Sequence, residues 1–433
     1  MEIMKQKKQP TEDLQWFRLD NAAKLFPAVS DTQNSNVFRL SFELYEPVER
    51  ELLQQALDRT LEGFPSFRVR LRRGLFWYFL EHNPDQAKVH RDRLPPCTYF
   101  KEIKNKGFLF RVTYFKNRIN LDLFHVLADG TGALQLIRTL VYNYLLLSHA
   151  GELSESYPPS GCEAPPLSRA EDSFSKYYDK SKKSTPFEKK AYHITGTKLM
   201  PGDIKIITGE MPVAQVLALA KQSGVTLTAY LSALVISAIY HENMPARQRK
   251  HPIKINIPVN LRNHFPSITS RNFFSCIDAS FDFSQGEPPF EELLHAVNKQ
   301  LKEQLNREDL SERINYQVAT ERNVAIRFIP LFLKNIGLRI AYNKGEVVYS
   351  AALSNLGRIQ MPEYLMPYLR GATLVMSPSK HQAVKIGVSS FGDTLSVTFS
   401  ASIAQPDIAR HFFRSLAGQG VEITLTTNEV KPR

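Results

Sequence analysis

The sequence predicts an α/β protein of two domains in which mixed sheets are covered by helices. Three observations carry this reading. At 433 residues the chain is longer than one ordinary core organises, so two domains of roughly 200 residues each are the natural division. Hydrophobic residues make up 43% and aromatic residues 11% of the chain, enough apolar surface to fill both. Segments of alternating polarity and hairpin turns are interleaved with segments of helical period, which is the pattern of mixed sheets packed against helices.

Each element follows from its local pattern. Residues 14–26 carry Phe17, Leu19, Ala22, Ala23 and Phe26 near helical spacing, predicting a short opening helix stopped by Pro27. Residues 36–45 alternate as a strand. Pro47, at a first-turn position, precedes the single apolar stripe Val48, Leu52, Leu53, Ala56, Leu57 and Leu61, a helix. Residues 66–80 read as a hairpin turning near Arg73-Gly74. The apolar runs 108–115 and 119–124 are separated by Lys116-Asn117-Arg118, a second hairpin whose outgoing strand delivers His125. Beyond Gly130, the residues Ala133, Leu134, Ile137, Leu140, Val141, Tyr144 and Leu145 trace a helical face.

From 149 to about 202 Ser, Pro, Lys and Glu displace periodic apolar residues, marking a linker or long surface excursion. The expected division is therefore a first domain over 1–160, a linker over 161–205 and a second domain over 206–433. In the second domain helices are expected over 212–222, 226–242, 289–305 and 326–340. Strands are expected over 253–261, 272–283, 347–353, 372–376, 383–391, 394–403 and 421–426, with Gly392-Asp393 as a hairpin turn and Pro406 opening a last helix.

Composition narrows function. The formal net charge of +12 would draw nucleic acid, an acidic membrane surface or a phosphate-rich cofactor. The charges are dispersed, however, and Arg68-Val69-Arg70-Leu71-Arg72-Arg73 alternates as an amphipathic strand would, with no nucleic-acid-binding signature beside it. The long uncharged stretch from Gln222 contains Ser, Thr, Tyr and His and reads as a buried helix, so no integral membrane association is expected. The residues Met1-Glu2-Ile3-Met4-Lys5, followed by Lys7, Lys8 and Pro10, lack the apolar core of a secretory signal. Cys97, Cys162 and Cys276 are widely separated and odd in number, which argues against a disulfide framework or thiolate metal site and for a reducing cytoplasm. No Walker loop, dinucleotide fingerprint, HExxH or CxxC spacing is present, so neither a bound metal nor a tightly held cofactor is expected.

One cluster carries chemistry. In Leu123-Phe124-His125-Val126-Leu127-Ala128-Asp129-Gly130 a strand ends and a helix begins, and the histidine has a carboxylate at its fourth neighbour and a glycine that lets the chain turn. That arrangement fixes an imidazole and offers it as a base. No other histidine in the chain has an aspartate four residues on. The bland alternative is a strand-end histidine capped locally by Asp129.

His125-xxx-Asp129-Gly130 resembles the HxxxDG motif of the coenzyme A-dependent acyltransferase superfamily, which includes chloramphenicol acetyltransferase, alcohol acetyltransferases and nonribosomal peptide condensation domains. The wider segment through Thr131-Gly132-Ala133 is similar to bacterial alcohol acetyltransferase-type and polyketide-associated acyltransferase proteins. So are Trp16-Phe17-Arg18-Leu19-Asp20-Asn21-Ala22-Ala23, Ile257-Pro258-Val259-Asn260-Leu261-Arg262 and Leu353-Ser354-Asn355-Leu356-Gly357.

The resemblance implies two chloramphenicol-acetyltransferase-like domains enclosing an active-site tunnel at their interface. Acyl-CoA, or an acyl carrier protein, would supply the thioester, and a small alcohol or amine would accept the acyl group. His125 would be the general base of a direct transfer without an acyl-enzyme. Asp129 would face away from the tunnel and brace the loop through a bidentate pair with Arg262, joining the domains. Gly130 would supply an unusual backbone dihedral or close packing at the helix start. Asn355 and Asn272 would lie near the tunnel or the domain-crossing strand, where either would orient substrate or pair with backbone. No residue identifies itself as the oxyanion donor. Phe124 stands where condensation domains carry a second histidine, and the plant-type DFGWG segment is absent, with only Phe391-Gly392-Asp393 sharing its letters. Condensation-like amide synthesis and a catalytically idle binding module are the alternatives.

Overall fold

The computed structural model describes residues 16–153, 171–179, 189–322, 328–428 and 430. The first half contains β1 (Trp16–Arg18), α1 (Phe26–Val29), β2 (Val37–Leu44), α2 (Arg50–Glu62), β3 (Val69–Arg73), β4 (Tyr78–His82), β5 (His90–Arg91), β6 (Phe110–Phe115), β7 (Arg118–Phe124) and α3 (Gly130–Ser148). After α4 (Ser173–Lys176) come β8 (Lys205–Pro212), α5 (Val213–Gln222), α6 (Leu227–Asn243), β9 (Ile253–Asn260), β10 (Phe274–Phe281), α7 (Phe290–Gln304) and α8 (Arg307–Arg322). The chain continues through α9 (Leu331–Glu346), β11 (Ala351–Ile359), β12 (Leu369–Met376), β13 (Val384–Phe391), β14 (Thr394–Ala401), α10 (Asp407–Ala417) and β15 (Thr424–Thr427).

Two mixed sheets anchor the halves. One runs β12-β2-β7-β6-β5, the other β10-β9-β11-β13-β14-β8-β15, and a small third sheet runs β1-β4-β3. Against the first sheet α2 and α3 bury Leu53, Ala56, Leu57, Ile137, Leu140 and Val141. Against the second, α6 is buried on every side, from Ala229 to Tyr240, as its uniformly apolar sequence requires. Among the described residues no single helix is long and apolar enough to cross a membrane.

The halves are not independent in sequence. β12 comes from the second half yet pairs with β2 in the first sheet, Met376 opposite Phe38. It crosses close over the second sheet because position 387 is glycine, where a Cβ would run into the Leu374 carbonyl. Within the first sheet, Asp122 on β7 lies between its register partners Arg39 and Arg111 and accepts hydrogen bonds from both guanidinium groups. Against the cost of burial, those two cations hold the Asp122 carboxyl below the ordinary aspartate range.

Most expected elements form, and the exceptions have physical causes. The helix expected over 14–26 is replaced, in its described part, by β1, a short 3-10 turn over Ala22–Lys24, and α1. The 16–18 backbone finds the open edge of β4, Trp16 opposite Glu81, and Pro27 sits in the first turn of α1 instead of ending a helix. Pro47 likewise precedes the helix, which starts at Arg50 with Glu49 as its cap. The helix expected over 326–340 begins at Leu331, after Pro330, and the strand expected over 347–353 is displaced to Ala351–Ile359. β5, α4, α8 and β8 were not expected. α8 buries a stripe one residue wide, Leu310, Ile314 and Val318, too thin to stand out in a polar sequence. β8 is masked by Gly209, a residue that strands avoid. The glycine is needed because a Cβ there would strike the Phe413 ring of α10.

The segment expected to be a linker is partly core. Phe174 and Tyr192 are fully buried in the second half, and Tyr192 Oη donates to the Asn243 carbonyl.

Candidate active site

β7 ends with Phe124 opposite Val37 on β2, and the next residue, His125, donates its backbone N–H to the Asn36 carbonyl at 2.9 Å. The imidazole stacks on Phe26 at 4.8 Å and meets the edge of Phe38 at 5.2 Å and the tilted ring of Phe274 at 5.3 Å between centroids. Aromatic walls thus enclose the ring while the residue keeps part of its surface exposed. Burial pushes the imidazole pKa below the ordinary histidine value, opposed by the Asp129 charge and by Asn272, while the nearby Lys385 charge acts with burial. At neutral pH the ring is therefore uncharged.

Its tautomer follows from Asn272. Asn272 Nδ2 donates to Asp20 Oδ2 at 3.0 Å and to the His125 carbonyl at 3.1 Å. With both amide hydrogens committed to acceptors, Asn272 Oδ1 is the atom that faces His125 Nδ1, at 3.0 Å. A carbonyl oxygen only accepts, so Nδ1 carries the proton and Nε2 carries the lone pair. Nε2 has no hydrogen-bond partner among the described residues and is not sealed from solvent. Asp20 is itself fixed by the Ala23 N–H at 2.8 Å. Burial raises its pKa to about 6, against Arg271 and Asn272, so it is ionised at neutral pH.

Of the two roles expected for Asn272, orienting substrate or pairing with backbone, the structure has the second: it is 1% exposed, behind the imidazole, and its amide pairs with the His125 carbonyl and holds the ring. The supporting role of Asp20 was missed, although its segment stood out in the sequence; only its placement against Asn272 reveals it.

Asp129 caps α3, accepting from the Gly132 N–H at 3.0 Å through Oδ1. Its other oxygen accepts from Arg262 Nη1 at 2.8 Å and from the Phe273 N–H at 2.8 Å. The ion pair joins the two halves and is nearly buried on both sides. It is not the expected bidentate fork: only Nη1 reaches the carboxylate. Nε of Arg262 donates to the Thr269 carbonyl at 3.1 Å and Nη2 to the Arg271 carbonyl at 2.5 Å. Arg262 therefore organises residues 269–273 from one side, while Asp129 receives Phe273 from the other. No hydrogen bond links Asp129 to the His125 ring among the described residues, so the local-cap alternative does not describe this histidine.

The glycine requirement lies two residues later than expected. Gly130 has no positive φ, and a Cβ there would press only on the flexible Leu356 side chain. At Gly132 a Cβ would meet the Ser270 carbonyl, so this glycine lets the crossing segment lie directly on α3. Ser270 Oγ donates to Gln135 Oε1 at 3.0 Å in the same contact.

Asn355 lies at an irregularity of β11. Its Oδ1 accepts from the Gly357 N–H at 2.8 Å, and its Nδ2 donates to Thr228 Oγ1 at 3.1 Å. Phe124 is buried and stacks with Phe100, so that position faces core. Burial keeps Cys97 firmly protonated and pushes Cys276 up to about 11, which leaves both as thiols; Cys162 lies outside the described residues.

Lys385 had no role in the sequence reading. Its strand neighbour Ser400 donates Oγ–H to the Met376 carbonyl at 2.5 Å, Met376 pairs with Phe38, and Phe38 touches the His125 ring. Burial lowers the Lys385 pKa, with Glu346 and Cys97 opposing.

No family model matches the chain, and no curated protein matches it in sequence. Solved structures do. Polyketide synthase associated protein 5 from Mycobacterium tuberculosis superposes with a TM-score of 0.59 at 14% identity, over 92% of this chain and 96% of that one. TRI101 of F. graminearum, complexed with coenzyme A and deoxynivalenol, gives 0.62 at 12% identity over 94% and 99%. The wax ester synthase/diacylglycerol acyltransferase from Marinobacter aquaeolei VT8 gives 0.54 at 13% identity over 93% and 98%. The chain has the two-domain acyltransferase fold. The match covers nearly the whole of each chain, and at these identities the likeness is one of architecture.

Proposed function

We propose that the chain is an acyltransferase that moves an acyl group from a coenzyme A or carrier-protein thioester to the hydroxyl or amine of a small acceptor. The observation that carries this is the His125 imidazole, neutral, with Nδ1–H engaged by Asn272 and Nε2 free to accept a proton. The fold shared with a protein that holds coenzyme A supports the donor class, and the net charge of +12 suits its phosphates.

In this reading both substrates reach His125 through a passage between the halves. Nε2 takes the proton of the acceptor as its oxygen or nitrogen attacks the thioester carbonyl. The tetrahedral intermediate collapses, the C–S bond breaks, and the departing thiolate takes the proton back from the imidazolium. No acyl-enzyme forms. Asn272 and Asp20 are positioning residues that hold the tautomer. Asp129 and Arg262 fix the loop and crossing segment, and Gly132 lets them pack. Asn355 keeps one amide hydrogen for a substrate.

The test is thiol release from acetyl-CoA, longer acyl-CoA thioesters and an acylated carrier protein, each with a panel of alcohols and amines. Acceptor-dependent release with at least one donor is expected. Silence with every donor and acceptor overturns the reading.

A further inference from the structure

α9 is built inside out. Its buried side carries Lys334, Asn335, Leu338 and Tyr342, with Leu331 at its start. Lys334 Nζ donates to the Phe76 carbonyl at 3.0 Å and lies 3.5 Å from the Trp77 ring centroid. Asn335 Nδ2 donates to Tyr78 Oη at 2.9 Å, and Arg339 Nε to the Ala28 carbonyl at 2.6 Å. The opposite side presents Phe332, Ile336 and Ile340, exposed by 56%, 55% and 54%, with Leu333 beside them and Phe328 at 74% just before the helix. A helix that belonged wholly to a soluble surface would have the reverse arrangement.

The apolar side continues beyond the helix. The Leu331 N–H donates to the Leu75 carbonyl at 2.9 Å, which places the β3–β4 turn alongside, and Leu75 itself is 73% exposed. A contiguous apolar face of this kind marks an interaction site. The charge around it identifies the partner. Arg68, Arg73, Arg339 and Lys344 lie around it, whereas Arg70 and Arg72 pair with Glu81 and Lys334 is buried against Trp77.

We infer that α9 and the β3–β4 turn form a face that docks on an anionic lipid bilayer, the large apolar side chains entering the headgroup region while the basic residues meet lipid phosphates. α1, to which α9 is tied through Arg339, also supplies Phe26 to the His125 wall. The docked face therefore adjoins the site, and a substrate dissolved in the bilayer has a short path to it. That last consequence rests on the proposed acyl transfer; the docking itself does not.

The experiment is co-sedimentation of the full chain with vesicles of phosphatidylcholine alone and of phosphatidylcholine mixed with phosphatidylserine. The wild type is expected to pellet with the mixed vesicles and to be released by salt. The double variant Phe332→Ser/Ile336→Ser is expected to lose vesicle partitioning about tenfold or more, with an unchanged unfolding midpoint because both side chains are exposed. Absence of binding to anionic vesicles overturns the inference. So does a concentration-dependent dimer, seen by light scattering, that the double variant dissolves, since the face would then serve a second copy. Thiol release in detergent-free buffer, measured on the same samples, reports separately on acyl transfer.

Discussion

Asn272 and His125 exchange two hydrogen bonds: the imidazole Nδ1–H donates to the amide oxygen at 3.0 Å, and the amide nitrogen donates to the His125 carbonyl at 3.1 Å. The amide cannot flip without placing its carbonyl oxygen against the Asp20 carboxylate, an acceptor against an acceptor. The ring tautomer is thus set from the other half of the molecule, across the crossing segment that also carries Phe273 to Asp129.

Replacing Asp20→Asn should separate stability from turnover. The new amide offers Asn272 a donor, the Asn272 amide reverses, and Nε2 becomes the protonated nitrogen. Turnover should fall about a hundred- to ten-thousand-fold with KM little changed. Because burial raises Asp20 to about 6, its ionised form costs folding stability above that pH, and the neutral variant should unfold at no lower temperature at pH 7. Steady-state kinetics with thermal unfolding checks both. A fall in unfolding midpoint that matches the activity loss would reduce Asp20 to a structural role.

The pH dependence has a fixed sign. His125 has a lowered folded pKa, so kcat/KM should rise with pH through a value below 6.5 and be flat at neutrality. By linkage, a lowered histidine binds fewer protons folded than unfolded, so its stability contribution is present above 6.5 and lost as pH falls. Asp20 acts oppositely, its contribution present below 3.8 and lost as pH rises through about 6. Lys385 lowers the His125 pKa by its charge, so Lys385→Met should move the acid limb of kcat/KM to higher pH. A limb that stays in place shows that the charge does not reach the ring.

Breaking the nearly buried Asp129–Arg262 pair from either side should cost about 3–5 kcal/mol, and the double change should cost much less than the sum. Chemical denaturation of Asp129→Asn, Arg262→Met and the pair forms the cycle. Strict additivity would mean that the two side chains act separately.

The two glycines of the helix start should differ. Gly132→Ala drives a methyl into the Ser270 carbonyl and should lower both unfolding midpoint and turnover. Gly130→Ala displaces only the Leu356 side chain and should be mild. Equal effects in thermal unfolding would contradict the close approach at position 132.

What the sequence made legible was local. β2, β6, β7 and α3 follow from alternation, apolar runs about a turn and helical period, and the histidine was placed because its motif lies in one short stretch. The Arg262 partner was legible only through resemblance, and its monodentate geometry was not, since Nε and Nη2 are drawn to carbonyls of residues 269 and 271 that folding brings near. Asn272 was left between two roles and Gly132 was overlooked for the same reason: each answers to a segment more than a hundred residues away. α9 has a helical pattern, yet nothing in the pattern tells which side faces the protein, because Lys334 is buried against the Trp77 ring.

The most direct measurement is the single-turnover rate of thiol release from acyl-CoA with an accepted alcohol or amine, wild type against His125→Ala. If the imidazole is the base, the variant should lose about a hundred- to ten-thousand-fold in rate while binding acyl-CoA with unchanged affinity. An unchanged rate in the folded variant would contradict the account at its centre.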